Sequence, residues 1–143
     1  MLPRLRMLLP ALWAGLLICI ATIATPAAFA MAPGEAGRIV GRIFAQEAVV
    51  SMALALVVTA IERKLAPDRQ VGVWLALGAL FCTVAGYYAL QPLMVAARAG
   101  QGTLSFGQLH AISLGLFALK GVLVGALAWR AAAPAAGIRP SSS

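Results

Sequence analysis

An all-α, polytopic membrane protein, folded as an antiparallel bundle of four transmembrane helices, is the fold class that three observations predict. Apolar residues make up 62% of the chain and charged residues only 10%, where soluble proteins carry about 25% charged, and the mean hydropathy is +0.94. The apolar residues gather into four runs, each near the ~20 residues needed to cross a bilayer. Turn and charge signals separate those runs: Pro33-Gly34, the cluster from Glu62 to Arg69, and the glycine-rich residues 98–107. The spans fall at about 7–28, 39–61, 71–96 and 106–129, forming one domain over residues 1–130. The tail, 131–143, has too few apolar residues to bury and is expected to be disordered.

The first span follows Arg4 and Arg6 and ends near Ala28-Phe29-Ala30, which has the A-x-A form of a signal-peptidase site. Its apolar run exceeds the usual signal core, and Ala11, Gly15, Cys19 and Thr22 form a small-residue stripe suited to helix packing. A retained helix, uncleaved after Ala30, is therefore expected. The second span is entered through Gly37-x-x-x-Gly41, carries Gln46 and Glu47, and closes on the charged loop Glu62, Arg63, Lys64, Pro67, Asp68 and Arg69. The third offers small residues at Gly78, Cys82, Ala85, Gly86 and Ala89, and Pro92 should bend or end it. Its stripe of Gln91, Tyr88, Val84, Phe81, Leu77 and Trp74 reads as a seam toward the bundle. Ser105 followed by Gln108 fits the capping box that starts a helix at Phe106. In the fourth span His110, Ser113, Phe117, Lys120, Val124 and Leu127 make a three-four seam, and Gly121-x-x-x-Gly125 allows a neighbour to approach.

Lysine and arginine counts set the orientation. One side holds Arg4, Arg6, Arg63, Lys64, Arg69, Arg130 and Arg139, and the other Arg38, Arg42 and Arg98. Seven against three places both termini in the cytoplasm of a bacterium, with the protein in the inner (plasma) membrane. The net charge of +7 is scattered in ones and twos without an aromatic-studded basic patch, which argues against nucleic acid and for topology signals and phospholipid contacts. The bilayer is the first partner, with a homodimer or a second membrane protein as the others.

Lys120 lies near the middle of the fourth span, where insertion costs ~3 kcal/mol, so it demands a partner. Glu47 stands 15 residues from Glu62, and Lys120 stands 10 from Arg130, so their depths differ by roughly 7 Å at about 1.5 Å per residue. A lysine stem spans most of that, and the two form the expected intramembrane pair. Its bland reading is a structural lock on helix register; the sharper one is a proton, ion or ligand site. His110, Gln91, Tyr87, Tyr88, Gln46 and Ser113 converge on the same half as candidate polar-pocket or ligand residues, although a lone histidine at a span edge more often serves the interface. Tryptophans 13, 74 and 129 read as anchors and packing residues, and Cys19 and Cys82 as packed free thiols. No catalytic residues are assigned: phosphate loop, nucleophile elbow, HExxH, CxxC and paired carboxylates are all missing from the sequence. A single histidine and isolated cysteines argue against a transition-metal site.

Residues 36–44 (AGRIVGRIF), 85–92 (AGYYALQP) and 104–110 (LSFGQLH) carry a resemblance to the small four-span membrane proteins called domain of unknown function 4149, related to transmembrane-protein-205-like proteins. The resemblance implies a four-span fold with the first helix kept and adds no activity, in keeping with a non-enzymatic protein. The chain is also distantly similar to CopD-type copper-resistance proteins and to the four-span protoporphyrinogen oxidase that uses haem. That oxidase relies on a histidine in its first span, which this chain lacks; only His110 could serve. A haem- or quinone-linked redox protein with His110 as ligand is accordingly the alternative function, and a small proton-coupled transporter using Glu47 the third.

Overall fold

The computed structural model describes residues 1–68 and 70–133; Arg69 and residues 134–143, with Arg139 and most of the expected tail, lie outside the described residues. Four helices long and apolar enough to cross a membrane are found among the described residues: α1 (Leu2–Met31), α2 (Ala36–Leu65), α3 (Val71–Arg98) and α4 (Phe106–Ala132). At 1.5 Å per residue a 30-residue helix is about 45 Å long, enough for the hydrocarbon core and both headgroup layers.

Local chemistry fixes the ends. A turn at residues 33–35 reverses the chain between α1 and α2. After Arg98, Gly100 takes φ +71° and the amide of Gln101 donates back to the Ala96 carbonyl at 2.9 Å, so the left-handed residue closes α3. The Ser105 hydroxyl accepts from the Gln108 amide at 3.3 Å, and the Gln108 side chain accepts from the Ser105 amide at 2.9 Å. That reciprocal box starts α4 at Phe106.

The helices form a square in which α1 and α3 each touch both α2 and α4. At the end that holds both helix termini of the chain, one core layer draws on all four helices: Trp13 and Leu17, Ala55, Ala79 and Val124. A second layer of Val58, Ala76 and Leu127 lies below it. Arg6 reaches from α1 to the buried carboxylate of Glu62 at 2.6 Å, and Gly72 of α3 leaves the room this carboxylate occupies. Glu62 is thus a packed residue of the helix rather than part of a loop.

The other end is open. Backbone packing of α1 on α4 is confined to Leu2–Cys19, and that of α2 on α3 reaches no further than the turn at Val84–Ala89. Beyond that level the bundle divides into an α1–α2 hairpin and an α3–α4 hairpin. The division coincides with two π-helical turns, Ile20–Ala24 in α1 and Val84–Ala89 in α3. A threonine hydroxyl, Thr22 within the first turn and Thr83 just before the second, donates to the carbonyl four residues back, and shortly after each turn comes Pro26 or Pro92. A proline needs no helical amide bond and crowds the carbonyl behind it, and a π turn relieves that crowding by displacing the carbonyl. Pro92 consequently sits inside a helix that runs on to Arg98 instead of ending it.

Several faces differ from those read off the sequence. Trp74 and Phe81 are 65% and 67% exposed, so the aromatic stripe of α3 points to lipid, while Gly72, Ala76, Ala79, Cys82 and Thr83 turn inward. In α1 the small-residue stripe, Cys19 included, faces outward, and Pro10, Trp13 and Leu17 pack inside. Lipid tails are as apolar as leucine, so burial follows shape and polar handles rather than hydrophobicity. Gly121 and Gly125 have no neighbour within 4 Å of a Cβ built there; within this chain their spacing serves no close helix contact.

Candidate functional site

The site lies where the bundle divides. The Lys120 ammonium donates to both carboxylate oxygens of Glu47, at 2.7 and 2.8 Å, and the two side chains are 4% and 3% exposed. α2 and α4 occupy opposite corners of the square, so this pair crosses the diagonal. The same carboxylate accepts from the Ser51 hydroxyl, which in turn accepts from the Trp13 indole at 2.8 Å. Positions 47 and 51 are one helical turn apart on the inner face of α2, which lets one indole from α1 brace the acid that α4 neutralises. Three helices are thereby tied through one buried carboxylate. Such a network is worth having in lipid only when every member is satisfied, because an unpaired buried charge is costly.

Phe44 and Phe117 meet edge to face at 5.2 Å directly above the pair, and the Lys120 ammonium lies 5.0 Å from the Phe117 centroid. Those rings and the ion pair together line the floor of a cavity of about 480 Å³ between the two hairpins. Its wall includes Tyr87 and Gln91 from α3, His110 and Ser113 from α4, and Thr25 and Phe29 from α1. Gly37 and Gly41 line the α2 side, with no atom within 4 Å of a Cβ built at either. At the rim the Arg98 guanidinium lies 4.4 Å over the Phe106 ring, and His110, one turn along the same helix, stacks with its ring 5.8 Å from that of Phe106.

Of the residues singled out in the sequence, Glu47, Lys120, Tyr87, Gln91, His110 and Ser113 all border this one cavity. Gln46 and Tyr88 do not: both are exposed on the outer surface. Gln46 precedes an inward glutamate and so falls about 100° around the helix from it. Tyr88 packs edge to face on Tyr87 at 5.1 Å, so one ring of that pair lines the cavity and the other faces lipid. Ser113 donates to the Gly86 carbonyl inside the π turn at 3.2 Å, which holds α3 and α4 together along the wall. The Thr25 hydroxyl, buried in the same wall, has no hydrogen-bond partner.

Sequence reasoning did not find Arg98, Phe106, Phe44 or the glycine wall. The signal available was the alignment of Gly37, Gly41, Phe44 and Glu47 at three- and four-residue spacing, one face of α2. No group of three or more metal-ligating side chains occurs among the described residues. The cavity offers binding chemistry: an apolar interior, a few convergent polar groups, and one cation at the mouth.

The sequence matches the family described as Domain of unknown function (DUF4149) over residues 8–103, and the chain belongs to that family. No curated protein and no solved structure matches it.

Proposed function

We propose that this member of the family is a non-enzymatic integral membrane protein that holds a small molecule between its two hairpins, with the Glu47–Lys120 pair as the structural lock beneath it. It sits in the bacterial inner membrane with both termini cytoplasmic, as the seven-to-three count of basic residues argues, so the cavity opens toward the outer leaflet. The observation that carries the reading is the cavity itself. About 480 Å³ lies within the 300–1,000 Å³ usual for ligand sites, and an apolar wall with a few convergent polar groups is their usual lining. Both Glu47 carboxylate oxygens accept from Lys120 within the protein, which supports a lock more than a reactive centre.

The test compares the wild-type protein with Gly41→Leu by native mass spectrometry from mild detergent. Leucine at 41 enters open space and narrows the cavity where a ligand would lie. A bound mass present in the wild type and missing from Gly41→Leu is the expected result; bare protein in both would leave the lock without a ligand site. The haem alternative fits poorly, because the chain's one imidazole stands at the rim, stacked on Phe106, with no second histidine in the sequence. An ultraviolet-visible spectrum before and after dithionite decides it: a stoichiometric Soret band lost in His110→Ala would reinstate that reading.

A further inference from the structure

We infer that the ligand is a single-chain anionic amphiphile, a carboxylate or phosphate monoester on one hydrocarbon tail, taken in sideways from the bilayer; this rests on the ligand-holding reading above. Three observations lead there. Of the charged groups on the cavity wall, Glu47 and Lys120 neutralise each other at the floor. Arg98 makes no salt bridge among the described residues, and its guanidinium faces a ring that lines the mouth. The cavity is therefore electrically neutral at the bottom and positive at the rim, which favours an anionic head group at the rim and an uncharged tail below.

The second observation is the lining itself. Gln91 and His110 share the Arg98 end of the wall and can hydrogen-bond a head group, while Val40, Phe44, Leu114 and Phe117 offer apolar surface to a tail. The third is the side opening. α1 beyond Cys19 no longer packs on α4, and the residues flanking that gap, Phe29 and Leu114, both line the cavity and are exposed to lipid. A tail can enter between them without crossing water. At about 480 Å³ the cavity lies in the lower half of the 300–1,000 Å³ range of ligand sites, a size suited to one tail rather than two.

The experiment measures binding of hexadecanoate, hexadecyl phosphate, hexadecanol and dipalmitoyl phosphatidylglycerol to the full chain in mild detergent, by displacement of a dansyl-labelled undecanoic acid. Both single-chain anions should bind at least about tenfold tighter than hexadecanol, a difference of about 1.4 kcal/mol. Arg98→Gln should erase that preference while leaving hexadecanol binding in place. Gly41→Leu, or Gly37→Leu should the first fold poorly, should abolish binding of all probes. Equal binding of alcohol and anions, insensitive to Arg98→Gln but blocked by Gly41→Leu, would overturn the ligand class and leave the cavity reading standing. Equal binding of the two-chain lipid would overturn the single-tail assignment. No binding of any probe, together with bare protein in native spectra, would overturn both.

Discussion

Removing either charge of the Glu47–Lys120 pair should destabilise the protein strongly, and removing both should restore most of what is lost. With Glu47→Leu, the Lys120 ammonium keeps its 4% exposure and loses both acceptors. With Lys120→Met, the carboxylate keeps only the Ser51 hydroxyl. Breaking one partner of a buried pair costs about 3–5 kcal/mol, while a pair replaced by apolar residues of similar volume is near neutral. At about 2–4 °C per kcal/mol for a chain near this size, each single variant should melt on the order of 10 °C lower. The double variant still strands the Ser51 hydroxyl, worth about 1 kcal/mol, so its melting temperature should fall only a few degrees. Thiol-reactive dye labelling during a thermal ramp reads this directly. Cys82 is buried at the cavity wall and Cys19 is exposed, so a Cys19→Ala background leaves one reporter whose labelling rises steeply on unfolding. A double variant as unstable as the sum of the two singles would refute the lock.

Gly72→Ala should destabilise by about 2 kcal/mol or more, since the new methyl would collide with the buried Glu62 carboxylate; a Glu62→Ala background should relieve much of the clash, read by the same melting assay. Protein extracted from membranes should give an intact mass that includes residues 1–30, because α1 supplies the Arg6 and Trp13 partners of Glu62 and Ser51; a mature N-terminus at Met31 would contradict this. A fluorescent protein fused at the C-terminus should fluoresce and an alkaline phosphatase fusion there should stay inactive, and the opposite pair of results would reverse the proposed topology.

Much of the fold is legible because its signals are local. Four apolar runs need no tertiary information, and Ser105 with Gln108 contains its own geometry. The register of Glu47 and Lys120 is similarly readable, since depth in a membrane is a count along the helix and two opposite charges at one depth have few other partners. Facing is the part that sequence does not encode in lipid. Trp13 packs inside because its indole donor finds Ser51, while Trp74 and Phe81 have no such partner and turn to the tails. Glu62 was hidden by its company: beside Arg63 and Lys64 it looks like a helix-end charge, and only the absence of a side chain at Gly72, on another helix, leaves room for it. The π turns leave only indirect marks, a threonine within or just before and a proline after.

Those turns explain why the charges stand where they do. In lipid, helices gain little from hiding apolar surface against one another, so a bundle is held by close packing and polar ties. The closed half has both, with small residues of α2 and α3 against Trp13 and Leu17 and the Arg6–Glu62 bridge. The open half has lost packing between the hairpins, and nothing apolar there would stop the split from running further down. The pair lies at that boundary and joins α2 to α4 across a diagonal of the square, so it resists separation of the α1–α2 and α3–α4 hairpins where edge packing does not. Its depth sets the depth of the cavity. Moving the same two charges one turn toward the closed end, to positions 51 and 124, should therefore deepen the cavity if the protein still folds, with Gly41→Leu then blocking a smaller share of it.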